Sequence, residues 1–328
     1  MRLIFLGTSA GAPTRQRNVT CQALSFDDGT VWLLDCGEAS QHQLMKAGIR
    51  PKMVERILIT HLHGDHIYGI FGMLACLAIH GREAPVQIVG PRGVGEMVTT
   101  VLRLSDFAPG FPLIFSELDR PDPGGAELPA WPIGASHPWT VTAHHLVHRL
   151  ACVGYCLHEP PRPGRFHPDR AWAAQVPEGP LWGNLQRGVA VTLADGRRVE
   201  AAEVCDPPRR GRKLLLLGDT SDAGAMLAIG QDCDLAVREV TYDNSRQDKA
   251  LLWQHSTAAM TGSWAQRIRA KTLVMTHLSA RYTDEDPDPV RTIASLHAEV
   301  VAACPGTRVI VADDLLSVDI PASDETAT

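Results

Sequence analysis

The chain has 328 residues, 45% of them apolar and 5% aromatic, with 31 Lys/Arg against 37 Asp/Glu and a net charge of −6. That length gives interior enough for one large domain or two modest ones. The acidic balance excludes a protein that coats nucleic acid through its total charge, so any RNA contact needs a local basic patch.

The first element is a strand, "RLIFLG" (2–7), ending in a Gly/Ser turn. It is too short for a signal peptide or membrane anchor, and no later stretch approaches about 18 uninterrupted apolar residues. Eight cysteines, at 21, 36, 76, 152, 156, 205, 233 and 304, form no C-x-x-C pair. They read as buried free thiols of a cytoplasmic protein. "TVWLLDCG" (30–37) is the next strand, and "EASQHQLMKAG" (38–48) is a helix stopped by Gly48. "RILIT" (56–60) and "VQIVG" (86–90) are strands, and "GVGEMVTTVLRL" (93–104) is a helix. "TVTAHH" (140–145) opens a strand-like stretch that runs through Tyr155. Residues 159–212 break the rhythm. They are rich in Pro and Gly, and read as a partly irregular insertion. Over 160–215 ten Lys/Arg face six Asp/Glu, a local balance of +4. Strands then recur at "KLLLLGD" (213–219), "DLAVREV" (234–240), "TLVMT" (272–276) and "RVIVADD" (308–314). Between them, a helix with a Ser/Thr start spans 256–270. Another opens Asp-Pro at 288 and is closed by Pro305-Gly306. Residues 321–328 are a polar, disordered tail. The alternation predicts a layered α/β fold.

The densest chemistry is "THLHGDH" (60–66), where His61, His63, Asp65 and His66 form H-x-H-x-D-H. Imidazole and carboxylate suit borderline metals such as zinc, and manganese tolerates the same shell. "RILIT" leads into His61, "KLLLLGD" ends in Asp219, and "TLVMT" leads into His277. Ligands gather at the carboxyl ends of strands in open α/β sheets, so these segments are expected to converge. The stretch 140–155 adds His144, His145 or His148. Such a set supplies two metal ions, with a carboxylate such as Asp219 shared between them. Two-metal sites activate water and clamp phosphoryl groups.

These residues resemble the metallo-β-lactamase superfamily, and within it the ribonuclease Z family of tRNA 3′-processing endonucleases. The likeness runs over about residues 1–320. It rests on "GTSAGAPTRQRN" (7–18), "LDCGE" (34–38), "THLHGDHIYGIFGML" (60–74), "VQIVGPRG" (86–93), "HRLACVGYCLHE" (148–159), "GPLWGNLQRG" (179–188), "GRKLLLLGDT" (211–220), "HSTA" (255–258), "THLSARY" (276–282) and "VIVADDL" (309–315).

The resemblance implies an αβ/βα sandwich of two mixed β-sheets flanked by helices, as one domain over 1–320. Residues 159–212 would form a flexible arm that grips tRNA. Carried over by position, one zinc would take His61, His63 and His148; the other would take Asp65, His66 and His277, with Asp219 bridging. Asp65, His255 and Glu239 would be catalytic, His255 assisting the leaving oxygen. Arg281, Arg187 and Arg165 would touch substrate, while Trp172 and Trp182 are expected to pack. The family implies a homodimer acting on precursor tRNA, with no membrane association and no nucleotide cofactor. One departure is Arg238-Glu239-Val240-Thr241, where the family often has His-Glu-Ala-Thr. The alternative on the same scaffold is a small-molecule phosphodiesterase or other ester hydrolase. A non-catalytic RNA-binding protein is the third reading.

Overall fold

The computed structural model describes residues 1–119, 131–132 and 138–322. The six residues 323–328 of the expected tail lie outside the described residues. The described residues form two compact units, one built from 1–119, 131–132, 141–157 and 213–320, the other from 138–140, 158–212 and 321–322.

The first unit holds two seven-stranded sheets. Sheet one contains β1 (Arg2–Gly7), β2 (Cys21–Ser25), β3 (Val31–Leu34), β4 (Val54–Leu58), β5 (Val86–Pro91), β6 (Leu113–Leu118) and β16 (Ser317–Asp319), in the order β16-β1-β2-β3-β4-β5-β6. It is antiparallel from β16 to β3 and parallel from β3 to β6. Sheet two runs β15-β14-β13-β12-β9-β8-β7, from β7 (Trp131–Pro132), β8 (Thr140–Leu146), β9 (Cys152–His158), β12 (Lys213–Leu217), β13 (Leu235–Glu239), β14 (Thr272–Thr276) and β15 (Arg308–Val311). Its strands β12 to β15 are parallel. A parallel arrangement points several carboxyl ends the same way, which is what a shared site needs.

Period-two alternation sorts the side chains. On sheet one, Ile4, Leu6, Leu33, Ile57 and Ile88 face a helical layer of α1 (Ser40–Lys46), α3 (Ile70–Ile79) and α4 (Val94–Leu104). Val94, Val98 and Leu102 of α4 lie four apart and form its buried stripe. On sheet two, Leu215, Ala236, Leu273 and Met275 face α9 (Ala258–Arg267) and α10 (Ile293–Ala303). Gly262 lets these two helices approach, because a Cβ there would lie 2.6 Å from the Val300 carbonyl oxygen. The remaining face residues, among them Leu3, Phe5 and Tyr155, are fully buried. Tyr155 Oη ties the two sheets by donating to the Ile59 carbonyl at 2.7 Å.

Several expectations need revision. The 140–155 stretch is two strands, β8 and β9, with His148 in the turn between them. The Asp-Pro opening at 288 starts only a 3₁₀ turn, Pro289–Arg291; α10 begins after Thr292, whose Oγ1 accepts from the Ser295 amide. Helix α3 went unread, because "IFGMLACLAI" is apolar all round and shows no helical period. All eight cysteines are free and buried.

Residues of the second unit are more regular than their Pro and Gly content suggests. They form α5 (Pro168–Ala173), α6 (Pro180–Gln186), α7 (Ala201–Val204) and a hairpin of β10 (Val191–Thr192) and β11 (Arg198–Val199). Ala171, Val176, Leu185, Val191, Val199 and Val204 make a small core of its own. Trp182 packs on it, with its ring 5.2 Å from Phe166. Trp172 rests against Trp182 at 5.6 Å but stays 57% exposed.

Candidate metal centre

Three strand ends and one turn deliver the site. Past the end of β4 the chain passes through Thr60 to His61 and His63, then into the short helix α2 (Gly64–Ile67), which carries Asp65 and His66. Asp219 follows β12, Glu239 ends β13, and His277 follows β14. His148 is fixed by the Val147–Asp222 bridge next to it. His277 has φ 54°, in the left-handed region that non-glycine residues seldom adopt. Such outliers concentrate at functional sites.

Two groups of donor atoms face inward. His61 Nε2 lies 3.0 Å from His63 Nδ1, and His148 Nε2 lies 3.1 Å from the same atom. In the second group, His277 Nε2 is 3.3 Å from Asp65 Oδ2 and 3.4 Å from His66 Nε2. Asp219 Oδ2 stands between the groups, 3.8 Å from His61, 3.5 Å from His66 and 3.3 Å from His277. Two nitrogens bound tetrahedrally to one zinc at about 2.05 Å would be about 3.3 Å apart. The spacing therefore matches a metal-ligand set. Imidazoles packed nitrogen to nitrogen in a buried place have little else to stabilise them.

Four of the histidines have their other nitrogen anchored. His61 Nδ1 lies 3.0 Å from Thr60 Oγ1, and His66 Nδ1 lies 2.7 Å from Asp35 Oδ2. His148 Nδ1 donates to the Gln254 carbonyl at 2.9 Å, and His277 Nδ1 is 3.0 Å from Thr241 Oγ1. These contacts set tautomer and ring orientation and leave the inner lone pairs for a cation. Asp35 is itself held by the Thr60 amide and hydroxyl. Asp35, Thr60 and Thr241 were not singled out from the sequence. The available signal was that "TVWLLDCG" ends in an aspartate just as "KLLLLGD" does.

Electrostatics follow the packing. Burial pushes the His61 imidazole well below its ordinary pKa, and neighbouring His66 adds to the shift. Burial opposes charge on His66, but Asp219, Asp35 and Asp65 outweigh it and raise its pKa. Burial disfavours the Asp219 carboxylate, yet His277 and His66 hold it well below the usual range. His255 Nδ1 faces Glu239, 3.1 Å from Oε2 and 3.2 Å from Oε1. Burial works against its charge, while Glu239 and then Asp219 push the pKa up to about 9. His255 precedes the helix cap rather than forming it; Thr257 Oγ1 accepts from the Met260 amide.

A cavity of about 250 Å³ opens beside the cluster, lined in part by Asp65, Asp219, His255, His277 and Arg281. Arg281 sits at 5.6 Å over the Tyr242 ring, with Nη1 3.3 Å from Ser279 Oγ. Arg165 and Arg187 belong to the second unit, where Arg187 lines a cavity of about 770 Å³ with Pro161, Leu185 and Pro207. His144 and His145 lie in β8 and join no metal-type grouping among the described residues.

The chain is 37% identical to a ribonuclease Z of Thermosynechococcus vestitus, over 98% of this chain and 75% of that protein. It is 39% identical to a ribonuclease BN of Cronobacter sakazakii, over 98% and 100%. The chain belongs to the ribonuclease Z family. Human tRNase Z, short form, superposes with a TM-score of 0.68 at 26% identity, over 98% of this chain and 100% of that one. YhfI of Bacillus subtilis, at 16% identity and TM-score 0.65, shares the metallo-β-lactamase fold. A family model described as anti-Pycsar protein Apyc1 matches residues 1–103. Arg238 is one departure from the ribonuclease Z pattern; the chain after His148 is another. Arg238 is buried beside Glu239, sits 5.1 Å over the Trp264 ring, and donates to Ser256 Oγ at 2.8 Å. The arginine thereby fastens the His255-Ser256-Thr257 segment from behind.

Proposed function

We infer that the chain is a metal-dependent endoribonuclease that removes 3′ trailers from precursor tRNA and leaves a 3′-hydroxyl on the tRNA. The observation that supports this most is the convergence of seven His and Asp side chains, within a chain related to ribonuclease Z over nearly its full length. His61, His63 and His148 would hold one divalent cation, Asp65, His66 and His277 a second, and Asp219 would serve both. The mixed N/O set favours zinc, and manganese suits it too. When bound, such a pair supplies Lewis acidity for water activation and offsets charge on a phosphoryl group.

The chain's own groups do the rest. Asp65 Oδ2 accepts from the Gly11 amide at 2.8 Å, which leaves Oδ1 to orient the attacking water. Attack at phosphorus breaks the bond to the 3′-oxygen, and His255 gives that oxygen a proton through Nε2. Glu239 fixes the ring through Nδ1 and is in turn bonded to Thr241 Oγ1 and the Thr220 amide. Arg281 meets the phosphate at the rim. Arg165 and Arg187 grip the RNA backbone from the arm over 159–212, an interaction that adds affinity without reading sequence. The assembly is a homodimer.

Incubation of zinc-loaded protein with end-labelled precursor tRNA tests the reading. The expected product ends in the 3′-hydroxyl of the discriminator nucleotide, and chelator-stripped protein yields none. Absence of that product with metal present refutes it.

A further inference from the structure

Trp253 ends α8 (Gln247–Trp253) and remains 44% exposed. The Arg149 guanidinium lies 5.0 Å over its ring. Arg149 is exposed and forms no ion pair among the described residues. Both flank one contact inside the site, since His148 Nδ1 bonds the Gln254 carbonyl at 2.9 Å. Trp253 is thus one residue from that carbonyl and two from His255. Its position is fixed, because Gln254 is left-handed and the His255 amide closes back on the Ala250 carbonyl at 2.8 Å.

We propose that Trp253 and Arg149 form a stacking platform for an unpaired nucleobase beside the reacting phosphodiester. The inference rests on the RNA-cleaving function above. Single-stranded RNA is held by stacking bases on aromatic rings and on guanidinium planes. Here one guanidinium already lies over one ring, both are exposed, and in sequence they stand next to His148 and two residues from His255. Arg149 covers part of the indole and keeps its charge for the adjoining backbone. Stacking is tolerant of base identity, so the platform would position the strand without selecting its sequence. The neighbouring Leu252, Leu150 and Val147 are exposed. They present an apolar surround on which a second copy of the chain is the competing occupant.

The test is a coupling cycle with zinc-loaded protein and precursor tRNAs carrying an abasic nucleotide at each position within two of the cut. Trp253→Ala should raise KM for the intact precursor roughly 5- to 150-fold, and Trp253→Phe should retain most of the affinity. At one position the abasic substitution should weaken wild type by a similar factor and leave Trp253→Ala unaffected, because both remove the same interaction. Additive losses at every position would overturn the platform. So would loss of a dimer by Trp253→Ala in sedimentation, which assigns the surface to a second copy. If Trp253→Ala does not fold, Arg149→Gln run through the same cycle decides in the same way. Wild type that cleaves without coupling refutes the platform alone. Wild type that cleaves no precursor refutes the function and the platform together.

Discussion

Asp35 shows how a residue that never faces the inner cluster can govern it. Its Oδ2 is 2.7 Å from His66 Nδ1, and two bonds from Thr60 fix the carboxylate. Asp35→Asn should weaken metal binding by about 10- to 100-fold, as outer-shell changes commonly do. Competition with a chromogenic chelator would read it; unchanged affinity would mean that His66 needs no such support. His255→Ala separates chemistry from metal binding. It should lower kcat by about 10²- to 10⁴-fold with metal content unchanged, while an accompanying loss of metal would make His255 a ligand. At this scale the sequence was most legible where side chains were dense. H-x-H-x-D-H is local, so its convergence needs no folding to be suspected. Residue types alone left His144, His145 and His148 open; the family resemblance selected His148, and the structure places it in the turn between β8 and β9. The pairing of Asp35 with a histidine 31 positions on left no pattern at all.

Among elements, strands with β-branched runs and helices with caps could be read, and those fixed only by burial could not. The second unit is the clearest case. Its Pro and Gly suggest irregularity, yet Glu159 and Arg212 build a firm base for it. Glu159 Oε2 accepts from Arg212 Nε at 2.8 Å and from its amide at 3.1 Å, and Arg162 adds a bond at 2.9 Å. Both members of the pair are under 10% exposed. Partial burial works against the Glu159 carboxylate, but the bonds from Arg212 and Arg162 bring its pKa down to about 2. A depressed carboxyl stabilises fully above its unfolded value of about 4.3, and that contribution fades as pH falls toward 2. The unit should therefore lose stability between about pH 5 and pH 2, as followed by Trp182 fluorescence. Glu159→Gln should flatten that dependence. It removes the charge that faces the buried Arg212 guanidinium, so a cost of about 3–5 kcal/mol is expected at pH 7. An unchanged acid transition in the variant would assign the stability elsewhere.

At the level of the whole molecule the question is how an acidic chain handles a polyanion. The total is −6, but residues 160–215 carry a balance of +4, so the proposed attraction would be local. The arm can be removed cleanly. The Glu159 amide donates to the Arg212 carbonyl at 2.8 Å, and the Arg162 amide to the Arg209 carbonyl at 2.9 Å, so the two chain crossings run side by side. A short Gly-Ser turn in place of 163–208 would keep both pairs. The first unit retains its own two cores and every candidate ligand. The shortened protein should bind metal as before and turn over a small chromogenic phosphodiester at an unchanged rate. Its kcat/KM for precursor tRNA should fall steeply. The salt dependence of RNA binding should flatten too, by about 0.7–0.9 in log–log slope for each phosphate that the arm no longer neutralises. These readouts answer different questions. Loss of diester turnover would mean that the arm supports the metal centre, and an unchanged salt slope would place the RNA-binding surface on the first unit. Only a defect confined to tRNA, with a flatter slope, fits an arm whose purpose is to hold the nucleic acid.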